Sequence, residues 1–260
     1  MISKRAQSID ASGIRRVFDL AAKLKNPVDL SIGQPDFDAF DAVKQRVKQA
    51  IDAGKNRYTV TQGIPELRQR IKERYLANCP EAGGRTEVFV TAGVSGGLLL
   101  SYLSLLDPGD EILIPDPYFV IYHDLALLLG IVPRCYDTYP DFRPRAERIE
   151  EALTPRSKVI LVNSPSNPTG YACAQEELNQ IVELARRNNL VLIYDEIYES
   201  FCYDKPHARC FGQYEQTVIL NGFSKSAGVP GWRMGYVVAP EEVVSQMLKI
   251  QQYTIVCAHS

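Results

Sequence analysis

Residues 158–194 read KVILVNSPSNPTGYACAQEELNQIVELARRNNLVLIY, and this stretch decides the fold class. It begins with an apolar, β-branched run at Lys158–Val162 and continues through a proline-rich polar loop. An amphipathic stretch at Gln175–Asn188 follows, and then a second apolar run, Leu190–Tyr194. Because short apolar runs that alternate with amphipathic stretches are typical of helices packed on a sheet, we predict a strand–helix–strand unit here.

The same alternation continues on both sides of this unit, from about residue 87 onward. It predicts an α/β fold of three layers, αβα, with a mostly parallel seven-stranded sheet in the middle. The other predicted strands are Glu87–Thr91, Glu111–Pro115, Val132–Tyr136, Thr217–Leu220 and Gly235–Ala239. The other predicted helices of this region are Gly96–Leu106, Phe119–Leu129, Ala146–Leu153 and Glu241–Gln251.

The chain is organised differently before residue 87. Two further helices are predicted there, Ala42–Ala53 and Pro65–Ala77, and an aromatic-containing loop around Tyr58 separates them. We expect residues 1–40 to form an N-terminal arm and residues 41–260 to form one large domain.

Composition limits the classes of partner. The chain has 260 residues, 45% of them hydrophobic, and a formal net charge of −2. With a pI near 6.0 it offers no general attraction to nucleic acid or to an anionic membrane. No apolar run approaches the ~20 residues of a membrane helix, and Met1–Arg5 lacks the apolar stretch of a signal peptide, so we expect a cytoplasmic protein. Six scattered cysteines and three histidines predict no metal site.

A lysine in a glycine- and serine-rich loop is the feature that points most directly to chemistry. Lys225 lies in NGFSKSAGVPGWRMG, residues 221–235, directly after an apolar strand. A partly desolvated lysine has a lowered pKa and can form a Schiff base, while the donor fork of Arg233 suits a phosphate dianion. A purely structural role for both residues is the alternative.

Two further polar segments follow predicted strands. The loop NSPSNPTG, residues 163–170, comes after the strand that ends at Val162, and Asp195 follows the strand that ends at Tyr194. Because ligands of open α/β sheets bind at the carboxyl ends of the strands, both segments are candidates for a binding site. The alternatives are a proline-stiffened turn with Asx hydrogen bonds and a carboxylate that caps a helix.

These segments, in this order on successive strands, identify a resemblance to a known family. The chain resembles the class I and II, fold-type I aminotransferases that depend on pyridoxal phosphate, and in particular the aspartate-aminotransferase-like branch. The stretches that carry the resemblance are Ser31–Phe37, Tyr58–Thr59, Thr61–Arg68, Pro117–Tyr122, Asn167–Gly170, Asp195–Tyr198 and Lys225–Arg233. It implies an enzyme that transfers an amino group between an L-amino acid and a 2-oxo acid, working in amino-acid metabolism as a homodimer with shared active sites.

The resemblance also implies roles close to the reacting atoms. Lys225 would hold pyridoxal phosphate as an internal aldimine and carry a proton between the substrate's α-carbon and the cofactor. Asp195 would pair with the protonated ring nitrogen, which supports the ring as an electron acceptor. Asn167 and Tyr198 would hydrogen-bond the phenolic oxygen of the ring, and Gly33 would lie near the substrate carboxylate.

Other residues would hold the cofactor in place. Phe119 would stack on the ring, at a position where many relatives have tryptophan. Arg233 and the backbone N–H groups of Val94 and Ser95 would bind the phosphate. Tyr58 would reach the phosphate that the neighbouring subunit binds, so that each active site is complete only in the dimer.

The sequence departs from the family pattern in two places. Gly222 stands where many relatives have a serine or threonine that binds the phosphate, and Ser224 is the candidate to replace it. The arginine that grips the substrate's α-carboxylate in the family would lie beyond residue 260, in a small C-terminal domain that we expect to be largely missing.

Several other functions remain open from the sequence. The same residues suit a C–S lyase, decarboxylase or racemase that uses pyridoxal phosphate, or an inactive fragment that only binds it. Residues 93–97 also match the G-x-S-x-G elbow of serine hydrolases, although His123, His207 and His259 lack a recognisable context. A nicotinamide dehydrogenase and a P-loop protein are disfavoured, because G-x-G-x-x-G does not follow the first strand and no P-loop is present.

Overall fold

The computed structural model describes residues 1–9, 13, 17, 20–21, 23–26, 28 and 33–260. Ser31 and Ile32, which belong to the first of the family-like stretches, lie outside the described residues. The predicted strands are all present, with bounds that differ from the prediction by at most two residues. They are β1 Thr86–Ala92, β2 Glu111–Asp116, β3 Val132–Asp137, β4 Ser157–Asn163, β5 Val191–Asp195, β6 Thr217–Gly222 and β7 Met234–Pro240.

The seven strands form one mostly parallel sheet in the order β1-β7-β6-β5-β4-β2-β3. Strand β7 is antiparallel to both of its neighbours, β1 and β6, and the other pairs are parallel. The order brings β4, β5 and β6 side by side, so their carboxyl ends share one edge of the sheet. Asn163 at the end of β4 is paired in register with Asp195 at the end of β5.

Helices cover both faces of this sheet. Their bounds are α1 Lys4–Gln7, α2 Asp41–Asp52, α3 Pro65–Leu76, α4 Gly93–Leu105, α5 Val120–Leu129, α6 Ala146–Glu151, α7 Gln175–Arg187 and α8 Glu241–Gln252. None of the helices in the described part of the chain has both the length and the hydropathy of a bilayer-spanning segment.

Alternate side chains of the central strands pack against opposite helical layers. In β4, Val159 and Leu161 belong to a core that contains residues of α4, α5 and α8, whereas Ile160 and Val162 belong to a core that contains residues of α7. The side chains of a strand point to opposite faces in turn, so a strand that is apolar at every position requires cover on both sides. The three-layer prediction is therefore confirmed.

The start of α4 was predicted wrongly. The predicted helix starts at Gly96, within the glycine-rich sequence GVSGG, whereas the observed helix begins at Gly93, directly after β1. Small residues are required here because the helix packs closely on the sheet: a Cβ placed on Gly97 would lie 3.0 Å from the Val237 side chain. The glycines therefore reflect close packing rather than a loop.

The first turn of α4 also lies against the backbone of β7. A Cβ placed on Gly235 would be 2.4 Å from the carbonyl carbon of Gly93 and 2.6 Å from the amide nitrogen of Val94. Both of these are backbone atoms, which cannot move aside as the end of a side chain can. The absence of a side chain at Gly235 thus fixes where the N-terminus of α4 meets the sheet.

We expect Gly235→Ala to destabilise the protein by about 1–3 kcal/mol, because the added methyl group forces the β7 and α4 backbones apart. Gly231→Ala is the matched control, since a Cβ at Gly231 meets nothing within 4 Å. It should change the free energy of unfolding by less than ~0.5 kcal/mol. Urea unfolding of both variants measures the difference, and equal midpoints for the two would contradict the expectation.

Candidate active site

Polar side chains from the ends of β4 and β5 meet at one point. The amide of Asn163 donates a hydrogen bond to the backbone oxygen of Asp195 at 3.0 Å. Its side-chain oxygen accepts the backbone N–H of Asn167 at 2.7 Å. Asn163 therefore holds the loop that carries Asn167 against the end of β5, which is the position expected for a ligand-binding loop of an open sheet.

Asp195 is a buried carboxylate, with 3% of its surface exposed. Its Oδ2 accepts a hydrogen bond from the Tyr122 hydroxyl at 2.8 Å, and its Oδ1 accepts the backbone N–H of Ile197 at 3.1 Å. Burial raises its pKa from 3.8 to about 6, although both hydrogen bonds act in the opposite direction. No lysine, arginine or histidine of residues 33–260 forms an ion pair with it.

Lys225 lies near Tyr198 and Gly33. Its Nζ donates a hydrogen bond to the Gly33 backbone oxygen at 2.5 Å and lies 5.6 Å from the centre of the Tyr198 ring. Burial lowers the pKa of Lys225, and the positive charge of Arg233 lowers it further. Both effects favour the neutral, nucleophilic amine.

Tyr198 connects this lysine to the neighbouring loop. Burial raises its pKa, the charge of Asp195 adds to the rise, and the neighbouring Asn167 side chain opposes it. A Cβ placed on Gly33 would lie 3.8 Å from the Tyr198 hydroxyl. The structure thus brings together five of the residues singled out from the sequence: Gly33, Asn167, Asp195, Tyr198 and Lys225.

A positively polarised region lies at the N-terminus of α4. Val94 and Ser95 are in its first turn, where backbone N–H groups have no partner within the helix. The guanidinium of Arg233 lies directly beside this turn, since a Cβ placed on Gly93 would be 2.6 Å from its Nη2. A helix N-terminus next to a guanidinium is well suited to a phosphate.

The packing around Gly222, three residues before Lys225, explains one departure from the family pattern. A Cβ on Gly222 would lie 2.8 Å from the Met234 backbone oxygen and 2.9 Å from the Gly235 Cα. A serine or threonine at this position would therefore collide with β7. The close approach of β6 and β7 requires glycine here.

Phe119 and Tyr58 have different relations to this site. The Phe119 ring packs edge-to-face on Tyr122, with 5.8 Å between ring centres, and so contacts the residue that binds Asp195. Tyr58 is 86% exposed, and no hydrogen bond or ring contact joins it to the other site residues in the described part of the chain.

The serine hydrolase alternative finds no support in the geometry. No hydrogen bond joins Ser95 to a histidine among the described residues. His123 stacks on Tyr118 and contacts Asp124, while His207 contacts Glu196 at 3.1 Å. A nucleophile elbow needs a base within hydrogen-bond reach of the serine, and none is provided here.

The sequence does not reveal the roles of two residues of the site. Tyr122 lies within a family-like stretch and in the first turn of α5, whose N-cap is Phe119. Asn163 belongs to the candidate loop 163–170, but only the structure shows that it is the last residue of β4 and holds Asn167.

A buried polar cluster, consisting of Tyr75, Glu196, Glu199, His207 and Asn221, was also missed. The Tyr75 hydroxyl donates to Glu196, and the Asn221 amide donates to Glu196 at 3.2 Å and to Glu199 at 2.8 Å. This polar cluster connects α3 to the ends of β5 and β6, and its member Glu196 directly follows Asp195 in the sequence. Its members are far apart in the sequence, so no local pattern could have connected them.

Comparison with known proteins agrees with this geometry. The family model for aminotransferase class I and II matches residues 25–260. Aromatic-amino-acid aminotransferase 2 of Thermococcus litoralis is 35% identical over 98% of this chain and 68% of its own length. A probable aspartate aminotransferase of Methanocaldococcus jannaschii is 36% identical over 99% of this chain and 70% of its own length.

Solved structures show the same similarity. The aspartate aminotransferase of Thermus thermophilus with maleate has a TM-score of 0.92 and 33% identity, covering 100% of this chain and 70% of that one. The chain belongs to the class I and II aminotransferase family. It is a transaminase, and the members of this family use pyridoxal phosphate.

The residues present fit that cofactor. Asp195 is a buried acid with no cationic partner in the described part of the chain, and such a group is stabilised by a ligand that brings a positive charge. Arg233 and the first turn of α4 suit the phosphate, and Lys225 offers an amine whose pKa is lowered. The three groups match the three chemical ends of pyridoxal phosphate: ring nitrogen, phosphate and aldehyde.

We expect the buried charge of Asp195 to cost stability in the apoprotein above pH 6. Because its folded pKa of about 6 exceeds the ordinary 3.8, the folded state binds more protons between these values, and stability falls as the pH rises through this range. The stability of Asp195→Asn relative to the unaltered apoprotein should therefore rise by up to about 3 kcal/mol between pH 3.5 and pH 7.5.

Urea unfolding of the apoprotein at the two pH values measures this difference. Asp204→Asn, the same substitution at an exposed position, controls for the loss of a negative charge. A relative stability of Asp195→Asn that is equal at both pH values would contradict the expectation.

We expect Tyr75→Phe to destabilise the protein by about 1–3 kcal/mol, because Glu196 loses a hydrogen bond inside the polar cluster and stays buried. Tyr203→Phe removes the same hydroxyl from a side chain that is 85% exposed and should have no measurable effect. Thermal unfolding compares the two, and an unchanged midpoint for Tyr75→Phe would refute a stabilising role for the polar cluster.

Proposed function

We propose that this enzyme transfers an amino group between an L-amino acid and a 2-oxo acid, with pyridoxal phosphate attached at Lys225. When bound, the cofactor supplies a ring that accepts electrons from the substrate's α-carbon. The observation that carries the proposal is the convergence, at neighbouring strand ends, of a lysine of lowered pKa and a buried carboxylate that has no cationic partner in the described part of the chain. The similarity to aminotransferases favours transamination over the other reactions of this cofactor.

Each residue of the site has a role in this proposal. The Lys225 amine would carry the proton between the substrate's α-carbon and the cofactor. Asp195 holds a proton at the ring nitrogen. Asn167 and Tyr198 hydrogen-bond the phenolic oxygen of the ring, and the Gly33 backbone oxygen orients the lysine when it is free.

The remaining site residues bind the rest of the cofactor and the substrate in this proposal. Arg233 and the N–H groups of Val94 and Ser95 bind the phosphate, and Phe119 covers the ring. Gly33, which has no side chain, leaves room for the substrate carboxylate. The relatives are named for aspartate and aromatic amino acids, so these are the substrates to test first.

We further propose that the enzyme is a homodimer in which Tyr58 completes the partner's site. Tyr58 is exposed, and Ile51, Val60 and Ile64, which are close to it in the sequence, are exposed as well. Exposed apolar groups that lie close together are typical of a protein interface. In this arrangement residues 41–260 form the cofactor-binding domain and residues 1–40 form an arm.

We propose that the enzyme acts in amino-acid metabolism in the cytoplasm, and the state of its cysteines is consistent with this location. All six cysteines are unpaired, as is typical of a reducing compartment.

Reductive trapping tests the central assignment. Protein incubated with pyridoxal phosphate and then treated with borohydride should carry one cofactor adduct, on the peptide that contains Lys225. Lys225→Ala should abolish this adduct and reduce turnover of aspartate or tyrosine with 2-oxoglutarate by at least ~1000-fold, because both the covalent anchor and the base are lost. Lys249→Ala, at an exposed position on α8, should change neither. An adduct on a different lysine in the unaltered protein would refute the assignment.

A further inference from the structure

Tyr122 contacts Asp195 from the side of α5. Its hydroxyl donates to Oδ2 of Asp195 at 2.8 Å, and the side chain is 2% exposed. Its position is fixed from two directions, because the Tyr102 hydroxyl donates to the Tyr122 backbone oxygen at 3.0 Å and the Phe119 ring packs edge-to-face on the Tyr122 ring. The hydrogen bond to Asp195 is therefore a built feature of the core and not a surface contact.

The surroundings make Tyr122 the main side-chain donor to this acid. Burial raises the pKa of Tyr122 well above its ordinary value of 10.0, so the hydroxyl keeps its proton at any working pH. Among the described residues, the other titratable groups that face Asp195 are the hydroxyls of Tyr102 and Tyr198 and the carboxylate of Glu196. None of these is a cation, and the negative charge of Glu196 opposes ionisation of Asp195.

We propose that Tyr122 is a positioning residue that sets the proton affinity of Asp195, and thereby the pH above which the apoprotein captures its cofactor. The inference rests on the proposed function for the identity of the ligand. A hydroxyl that donates to a carboxylate stabilises the charged form. Only the charged form of Asp195 pairs with a protonated ring nitrogen, so the Tyr122 hydroxyl extends cofactor capture to lower pH.

Two oxygens of Asp195 are already engaged in the apoprotein, Oδ2 by Tyr122 and Oδ1 by the Ile197 N–H. These contacts hold the carboxylate plane in one orientation before the cofactor arrives. Ordering this group on binding therefore costs little, which is the advantage of preorganisation. Tyr122 thus acts on both the charge and the orientation of Asp195.

The test is Tyr122→Phe, which removes one oxygen atom and keeps the ring. In the apoprotein, the midpoint for protonation of Asp195 should move up by about one pH unit, since one buried hydrogen bond to a charged group is lost. Infrared titration of the carboxyl C=O band reads this midpoint without cofactor, and subtraction of the Asp195→Asn spectrum assigns the band. The pH at which affinity for pyridoxal phosphate falls to half should move up by the same amount, with affinity at pH 9 within about threefold of the unaltered protein.

Tyr136→Phe is the matched control. Tyr136 is also a buried tyrosine, and its hydroxyl donates to the backbone oxygen of Leu161 at 3.0 Å, away from Asp195. Loss of this hydroxyl should lower stability. It should leave unchanged both the protonation midpoint of Asp195 and the pH at which affinity for pyridoxal phosphate falls to half. If Tyr122→Phe behaves in the same way, with lower stability but unchanged midpoints, Tyr122 only supports the fold and the inference is overturned.

A second measurement tests the same inference if Tyr122→Phe folds poorly. Uniform replacement of tyrosine by 3-fluorotyrosine makes each phenol a stronger donor without deleting an atom, and it should move the Asp195 infrared midpoint down. An unmoved or raised midpoint contradicts the inference. Because the infrared measurements need no cofactor, they decide the role of Tyr122 even if the lysine trapping experiment fails, and the two proposals stand or fall separately.

Discussion

The site depends on one unusual interaction: a carboxylate held inside the protein by hydrogen bonds, with no cationic partner among the residues that the structure describes. Asp195 ends a central strand, and its pKa is raised by burial even though Tyr122 and the Ile197 N–H both stabilise its charged form. A protein gives up stability to keep such a group. A ligand that supplies a positive charge would compensate this cost, and in the proposed function the ring nitrogen of pyridoxal phosphate has this role.

The order of the strands makes this arrangement possible. Because β4, β5 and β6 are neighbours, Asn163, Asp195 and the loop with Lys225 emerge at one edge of the sheet. The antiparallel strand β7 then places Arg233 at the N-terminus of α4, where the glycines at 93 and 235 allow two backbones to approach. The first turn of α4 and the loop with Lys225 thus come from segments more than a hundred residues apart.

Behind the site, the polar cluster of Tyr75, Glu196, Glu199, His207 and Asn221 links the same strand ends to α3. A buried acid next to Asp195 in sequence contributes a negative charge that opposes ionisation of Asp195. The Tyr122 hydroxyl acts in the opposite direction. Burial raises the pKa of Asp195 most, the charge of Glu196 adds to the rise, and the Tyr122 hydroxyl and the Ile197 N–H oppose it.

The sequence by itself determined the strands and the layers, because short apolar runs that alternate with amphipathic stretches depend only on local order. It indicated the family through the motifs that carry the resemblance. It also named Lys225, Asp195, Asn167, Tyr198 and Gly33, which the structure brings together. Only the tertiary structure decided that Tyr122 donates to Asp195, that Asn163 holds the Asn167 loop, and that Gly222 cannot carry a side chain. These facts depend on distances between segments remote in the chain, and packing of the whole core sets those distances.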